Sequence, residues 1–320
     1  LISFTKRLAD ASRKFARILD FAYFGRLNKT KYRRGEALRI DVIIPAHNEE
    51  AVIHSCISNL IDERLPSIHP IVVVNGTTDR TAAIARSFGD SVTVVETEIA
   101  SKSHALNLGN EYAKNWPRIY LDADIIVSAD AIRKVVSELE KPGVFAASPK
   151  LQVDTTGSQR LVRLCYDFWL SLPYAKKQMV GSGIYGLSKT GFERLGEFPE
   201  TFADDNLVRL LFSEEERSSL SDCSFTVTAP ATIDALVKIK TRVRRGNKDL
   251  AEKFPKTVAR SEDRHVSAIL QNIFYPWRWP QLFAYVYVKW LIYRQPSQRG
   301  GMVWDRDETS RNPRRESPTH

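Results

Sequence analysis

Arg118-Ile-Tyr-Leu-Asp-Ala-Asp-Ile-Ile-Val127 is the stretch whose reading decides the fold. Residues 119 to 127 are apolar and β-prone apart from two carboxylates, Asp122 and Asp124, separated by one residue. In an extended strand positions i and i+2 share a face. The spacing therefore aims both carboxylates at the mouth of a buried sheet. Like charges so placed repel each other unless a cation lies between them. A hard divalent ion with oxygen ligands suits that role and brings phosphate oxygens with it. An isolated Asp-x-Asp also serves as a helix cap beside a solvated Asp, so the surrounding motifs have to decide.

Upstream, short apolar runs alternate with helical periodicity. Residues 38 to 46 read as a strand, and Asn48 as the cap of a helix that opens on Glu49 and Glu50. Residues 71 to 74 form a second strand, and the turn Asn75-Gly-Thr-Thr-Asp79 leads into a helix that stops at Gly89. Residues 91 to 95 read as a third strand, about 102 to 114 as a helix, and 119 to 121 as a fourth strand. Ser128 caps the next helix, whose inner face is Ile132, Val135, Val136 and Leu139. This rhythm predicts an α/β fold with a mostly parallel central sheet flanked by helices on both faces. Ligands of such sheets bind beyond the carboxyl ends of the strands. Asn48, Asn75, Asp79, Asp122 and Asp124 all fall on that edge.

Composition sets the bounds. The 320 residues are 43% hydrophobic, enough for a sizeable core, and carry a net charge of +9. Cys56, Cys165 and Cys223 lie far apart without a CxxC and read as buried thiols of a reducing compartment. The charge is uneven: residues 1 to 40 hold eleven Lys or Arg against three acids. Phe4, Leu8, Ala11, Phe15, Ile18, Leu19 and Ala22 recur there at helical spacing with basic residues between them. That pattern fits an amphipathic basic helix lying on an anionic bilayer, or one packed on the main domain. It lacks the apolar core and cleavage site of a signal peptide. No run reaches the ~20 apolar residues that span a bilayer. The nearest, Gln281 to Tyr293, contains Lys289 and follows Pro276-Trp-Arg-Trp-Pro280. Its Trp and Tyr content suits a membrane interface, and a buried helix closing the core is the alternative.

The expected organisation is a basic helical segment over 1–37 and a catalytic domain over 38–254, with a nucleotide half 38–127 and an acceptor half 128–254. An aromatic and basic helical segment that associates with membrane or packs on the domain covers 255–294, and a flexible tail 295–320. No nucleic-acid recognition module accompanies the basic leader. Neither GxGxxG nor GxxxxGK[ST] is present, so the sheet edge does not cradle phosphate on backbone amides in either usual way.

Six segments, in order between about residues 39 and 247, resemble the family 2 glycosyltransferases of the GT-A fold. They are Val42-Ile-Ile-Pro-Ala-His-Asn-Glu-Glu50, Val73-Val-Asn-Gly-Thr-Thr-Asp-Arg-Thr81, Ser101-Lys-Ser-His-Ala-Leu-Asn-Leu-Gly109, Tyr120-Leu-Asp-Ala-Asp124, Gly181-Ser-Gly-Ile-Tyr-Gly186 and Phe202-Ala-Asp-Asp-Asn-Leu207. Val243-Arg-Arg-Gly-Asn247 and Trp304-Asp-Arg-Asp-Glu-Thr-Ser-Arg311 are similar to a bacterial soluble or peripheral-membrane branch.

The resemblance implies an inverting, metal-dependent transferase acting on a UDP-, GDP- or dTDP-linked sugar. Asp124, assisted by Asp122, would hold Mg²⁺ or Mn²⁺ against the diphosphate as a Lewis acid. Lys102 and one or more of Arg242, Arg244 and Arg245 would add positive charge. Asp205 would be the general base, beside Asp204, which contacts the acceptor or raises the pKa of Asp205; one displacement by a single base inverts the anomeric centre. Ala46, Asn48, Glu49, Asn75 and Asp79 would recognise the nucleoside. The chain has Asn75 where the family commonly has a carboxylate, which leaves the choice of base open. Gly181, Ser182 and Gly183 would line the acceptor side, the glycines allowing close backbone approach. The acceptor would be a saccharide or lipid-linked molecule of envelope polysaccharide or glycolipid synthesis, met on the cytoplasmic face of the membrane. A catalytically silent GT-A module and a sugar nucleotidyltransferase are the alternative readings.

Overall fold

Every residue of Ile40–Ala46 is buried, and the same holds for Ile68–Asn75. Such uninterrupted burial marks inner parallel strands covered on both faces. In the computed structural model residues 39–61, 67–172, 175, 182–201, 203–255 and 272–295 are described. By its contacts the chain divides into Leu1–Leu38 and Arg39–His320. The expected basic helix of 1–37 and all but the first residue of the tail 295–320 lie outside the described residues.

In chain order the strands are β1 (Ile40–Ala46), β2 (Ile68–Asn75), β3 (Thr93–Thr97), β4 (Arg118–Leu121), β5 (Ile126–Val127), β6 (Ala146–Asp154), β7 (Ile184–Leu187) and β8 (Arg217–Thr228). The helices are α1 (Ile53–Leu60), α2 (Thr81–Arg86), α3 (Lys102–Tyr112), α4 (Ala129–Leu139), α5 (Arg160–Ser171), α6 (Lys189–Leu195), α7 (Asp204–Leu211), α8 (Ile233–Lys253) and α9 (Trp279–Arg294). One sheet runs β3-β2-β1-β4-β7-β6-β8-β5. The β3-β2-β1-β4 half is parallel throughout. At β7 the direction reverses, because β7 runs antiparallel to both β4 and β6.

Alternation along β1 and β2 sends Val42, Ile44, Val72 and Val74 to one face, with Ile53 and Ile57 of α1 and Ile132 and Val135 of α4. Ile43, Ile71 and Val73 go to the other, with Ala105 and Leu106 of α3. Each such aliphatic side chain, fully buried, contributes about 1.5–3 kcal/mol. The register Ile40–Ile68 through Ala46–Val74 ends both strands level. Their following loops, 46–50 and 75–81, therefore sit side by side.

A third cluster lies apart from the parallel half. Val162, Cys165 and Tyr166 of α5 pack with Leu236 and Val237 of α8 and with Ala284, Val288 and Ile292 of α9. All three cysteines are free thiols; Cys56 and Cys165 are buried and Cys223 is half-buried. Among the described residues no helix is long and apolar enough to cross a membrane.

Local details depart from the sequence reading in three places. Ser101 and Ser128 cap α3 and α4 through their side chains, the latter as expected. Asn48 does not cap α1: that helix begins four residues later, after Val52. Asn48 instead adopts φ 54° and accepts a hydrogen bond from the Thr78 amide at 2.8 Å. Asn tolerates left-handed backbone better than most residues, so it serves a loop here. The third strand starts at Thr93 after a 3₁₀ turn over Gly89–Ser91. Finally, β4 ends at Leu121, and Asp122 to Asp124 form a turn closed by the Ile125 amide on the Asp122 carbonyl at 3.2 Å. The two aspartates are thus not strand neighbours on one face: Asp122 is half-buried and Asp124 exposed.

Candidate active site

The amino edge of the parallel strands carries charge that is fully spent on structure. Asp41 accepts the Lys114 and Asn115 amides at 2.7 and 2.8 Å. Arg118 donates to the Ala113 carbonyl at 2.6 Å and to Asn110 Oδ1 at 2.8 Å. These groups tie the end of α3 to β1 and β4. The carboxyl edge differs.

There the loops after β1 and β2 are stitched together. Thr77 Oγ1 donates to the Ala46 carbonyl at 3.3 Å, and the Asn48 amide donates to Thr77 Oγ1 at 3.2 Å. His47 Nδ1 donates to the Asn75 carbonyl at 2.7 Å. The Glu49 amide donates to Thr81 Oγ1 at 2.7 Å, and the Glu49 residue is buried. Asp79 accepts the Thr81 amide at 2.9 Å through one oxygen and the Glu50 amide at 3.1 Å through the other. Both Asp79 oxygens thus help hold the loops together. Asn75 is fully buried, and neither polar atom of its side chain hydrogen-bonds to a described residue. An orphaned buried amide is worth about 1–3 kcal/mol of strain. Gly76 turns the chain at φ 58°; a Cβ there would lie 2.7 Å from Ala100 Cβ.

Beyond β4 three carboxylates, Asp122, Asp204 and Asp205, gather around one cation, with Asp124 beside Asp122. Lys102, in the first turn of α3, places Nζ 2.7 Å from Asp122 Oδ1 and 2.9 Å from Asp204 Oδ1. Asp204 is buried at the start of α7 and accepts the Tyr185 hydroxyl at 2.9 Å. Tyr185, on β7, stacks on Tyr120 of β4 at 5.1 Å between centroids. Asp205 follows and accepts the Asn206 amide at 2.6 Å. Asn206 Nδ2 in turn donates to Asn247 Oδ1 of α8 at 2.9 Å.

The electrostatics follow from this count. Burial opposes the charge of Lys102, but Asp122 and Asp204 outweigh it and hold its pKa above the ordinary lysine value. Burial pushes Asp122 up to about 7, with the Asp204 and Asp124 carboxylates adding to the rise and Lys102 opposing it. Asp205 is also raised, first by burial and then by Asp204. Burial and Asp204 together keep the Tyr185 phenol protonated well beyond its usual range. Asp122, Asp204 and Asp205 thus share the field of Lys102, and Asp124 adds its charge beside Asp122.

The donor set therefore fits a hard divalent cation. Among the described residues no group of three or more His, Cys, Asp or Glu side chains is arranged to hold a metal alone. Two carboxylates, Asp122 and Asp124, suffice only where substrate oxygens and water complete the shell. Lys102 is already committed to Asp122 and Asp204, so it is a bridge between acids as well as a source of positive charge. The sequence reading of it as a diphosphate contact missed that bridge.

Other expected residues fall as follows. Gly183 takes φ 91°, and its carbonyl accepts the Asp122 amide at 2.7 Å. A Cβ there would meet Asp122 Oδ2 at 2.8 Å. The glycine makes room for the Asp122 side chain. Ser182 lies beside it, half-buried, while Gly181 and Phe202 lie outside the described residues. Arg242, Arg244 and Arg245 sit on α8, not on a loop. Arg244 donates to the Gln295 carbonyl at 3.2 Å and lies 5.1 Å over the Tyr293 ring, turned toward α9. Trp304 to Arg311 is outside the described residues. Tyr185 and Asn247 were not singled out from sequence. For Tyr185 the two-residue offset from Gly183 along the approach to β7 was the available signal.

Residues 41–191 match the model of glycosyl transferase family 2. A 4,4'-diaponeurosporenoate glycosyltransferase of Staphylococcus aureus strain N315 is 32% identical over 120 residues, 36% of this chain and 32% of that protein. Its counterpart in strain MRSA252 is 32% identical over 109 residues, 32% of this chain and 29% of that protein. The chain thus spans about a third of the length of these relatives. A mannosyltransferase of Pyrobaculum calidifontis, solved with GDP-Man and Mn²⁺, superposes with a TM-score of 0.55 at 22% identity, covering 88% of this chain and 81% of that one. That likeness extends the GT-A fold past the matched segment to the strands and helices around Asp204 and Asp205. Residues 41–191, just under half of the chain, are thus similar to glycosyl transferase family 2.

Proposed function

We propose that the chain transfers a sugar, with inversion, from a nucleotide-sugar to a hydroxyl of a saccharide or lipid-linked acceptor at the cytoplasmic face of a membrane. One observation carries the reading: Asp122, Asp204 and Asp205 gather around the ammonium of Lys102 at the carboxyl edge of the parallel strands, with Asp124 beside Asp122. Carboxylates concentrated in this way suit a site that receives a divalent cation with its substrate. Asp124 and Asp122 would hold Mg²⁺ or Mn²⁺, which when bound supplies Lewis-acid stabilisation of the leaving diphosphate.

The chain's own groups do the rest. The Asp205 carboxylate takes the proton of the acceptor hydroxyl as that oxygen attacks the anomeric carbon. Burial and the neighbouring Asp204 raise its pKa, which makes it a better base than an ordinary aspartate. Asp204 is a positioning residue: buried between Lys102 and Tyr185, it lifts the pKa of Asp205 and touches no solvent. Lys102 keeps Asp122 oriented and offsets part of the diphosphate charge. The unpartnered Asn75 amide, at the end of β2, offers a donor and an acceptor for the nucleoside. The stitched loops carrying Ala46, Asn48 and Glu49 would form the rest of that wall. Residues 38–254 would make up the whole catalytic unit.

Thermal-shift titration with UDP, GDP and dTDP, with and without Mn²⁺, tests the reading through ligand-linked stability. Stabilisation by one nucleotide that requires Mn²⁺ and vanishes in Asp124→Ala is expected. A metal-independent shift that survives Asp124→Ala would remove the cation from the account.

A further inference from the structure

Helix α9 has two opposed faces. Leu282, Ala284, Val288 and Ile292 are buried, the last three against α5 and α8. The other face stays open to solvent, with Phe283 64% and Tyr293 68% exposed and Trp290 between them in sequence. Two 3₁₀ turns just before the helix, Asn272–Phe274 and Pro276–Arg278, extend the open surface with Phe274 82% and Trp277 71% exposed. These turns are held in place. Arg278 donates to Asn272 Oδ1 at 2.7 Å, and Trp279 Nε1 donates to the Ile273 carbonyl at 3.0 Å. A water-soluble surface rarely leaves so many large rings together without an occupant.

The charge names the occupant. Residues 272–295 carry Arg278, Lys289 and Arg294 and not one Asp or Glu. Lys289 lies 5.6 Å over Tyr285 and Arg294 4.5 Å over Trp290, so each cation sits at the border of an aromatic ring. Trp and Tyr flanked by Lys and Arg belong at the level of lipid headgroups, where the ring enters the acyl boundary and the cation reaches phosphate. A second copy would oppose this cationic face with another, and the apolar stripe of residues 1–37 is also strongly basic. Like charge disfavours both.

We propose that the open face of α9, together with Phe274 and Trp277, is the surface by which this chain docks on an anionic bilayer. The inference deepens the membrane-located reading above and rests on it. It also joins that surface to the site. Helix α8, which packs on α9, carries Asn247, the partner of Asn206 beside Asp205. One helix, α8, therefore links the docking surface to the neighbourhood of the proposed acceptor base.

Co-sedimentation of the full chain with vesicles tests this, using phosphatidylcholine alone and phosphatidylcholine mixed with phosphatidylglycerol. The chain should bind the anionic vesicles and release them as salt rises. Phe274→Gln/Trp277→Gln/Phe283→Gln should lower that partition by about tenfold or more while leaving Mn²⁺-dependent donor hydrolysis unchanged. Lys289→Gln/Arg294→Gln, which spares the rings, should do the same by a similar factor and keeps the test sound if the triple variant folds poorly. Vesicle binding by both variants at the level of the parent would overturn the proposal and move the contact elsewhere, residues 1–37 included. So would no vesicle binding at all, or a dimer in size exclusion that the triple variant converts to monomer. Donor hydrolysis without vesicle binding would sink only the docking surface; the converse would sink only the transferase reading.

Discussion

Replacing Lys102 by Met removes the one ammonium shared by Asp122 and Asp204 while keeping most of the side chain's volume. The contacts at 2.7 and 2.9 Å are made in a nearly buried pocket, and Asp204 has no water to fall back on. Breaking a buried ion pair from one side typically destabilises by about 3–5 kcal/mol, because the partner charge is left uncompensated. At about 2–4 °C per kcal/mol for a domain of this size, the thermal midpoint should fall on the order of 10 °C. The loss should also depend on pH. A carboxyl whose folded pKa lies above its unfolded value stabilises fully below the unfolded value and loses that contribution as pH rises through the folded one. Asp122 already stands at about 7 with Lys102 present, and removing the ammonium can only raise it. The variant should therefore be hurt less at pH 5 than at pH 8, and Lys102→Met/Asp204→Asn should recover part of the loss at pH 8. Urea unfolding of the parent, both single variants and the double variant in metal-free buffer measures all of this. A loss under about 1 kcal/mol at pH 8, or one of equal size at pH 5, would refute the claim that Lys102 balances these acids.

Other perturbations probe neighbouring links. Asp205→Asn should lower transfer by about 10²–10⁴-fold with the thermal midpoint unchanged or higher, since a raised carboxyl is a strained one. In the parent, the rate should fall with pH through a value above the ordinary carboxylate range near 4, and a limb at or below 4 in the pH–rate profile would contradict the base assignment. Gly183→Ala puts a methyl 2.8 Å from Asp122 Oδ2 at φ 91°, so a loss of about 1–3 kcal/mol and weaker Mn²⁺-dependent donor binding should appear together in denaturation and calorimetry. Tyr185→Phe deletes the hydroxyl that Asp204 accepts; about 1.5–3 kcal/mol of stability should go with it, and an unchanged urea midpoint would show that hydrogen bond to be idle.

The two halves of the molecule were legible to different degrees. In the parallel half each strand is a short apolar run and each helix a periodic one, so local pattern and tertiary position agree. That is why Asn48, Asn75, Asp79, Asp122 and Asp124 could be assigned to one edge before any coordinates. The capping of α1 was misread because Asn48 has two uses, and loop stitching through Thr78 chose the second. The Asp-x-Asp geometry was misread for a similar reason: strand alternation applies only while the strand lasts, and β4 stops at Leu121.

The sequence by itself determined the parallel sheet, the edge at which ligands must sit, and that Asp122 and Asp124 lie there, whereas Asp204 and Asp205 were assigned through the family resemblance alone. The sheet, its edge and the Asp122/Asp124 pair follow from hydrophobic period and from where a strand can end, both local properties of the chain. Only the tertiary structure decided which acid meets which base. Lys102 and Asp204 are 102 residues apart, and nothing in their neighbours' composition says that α3 and α7 bring them within 2.9 Å. It also decided that α9 both closes a hydrophobic cluster and leaves a row of aromatic rings in water. A helix whose apolar residues run all the way round does not say which face is taken; the neighbours α5 and α8 choose it by packing.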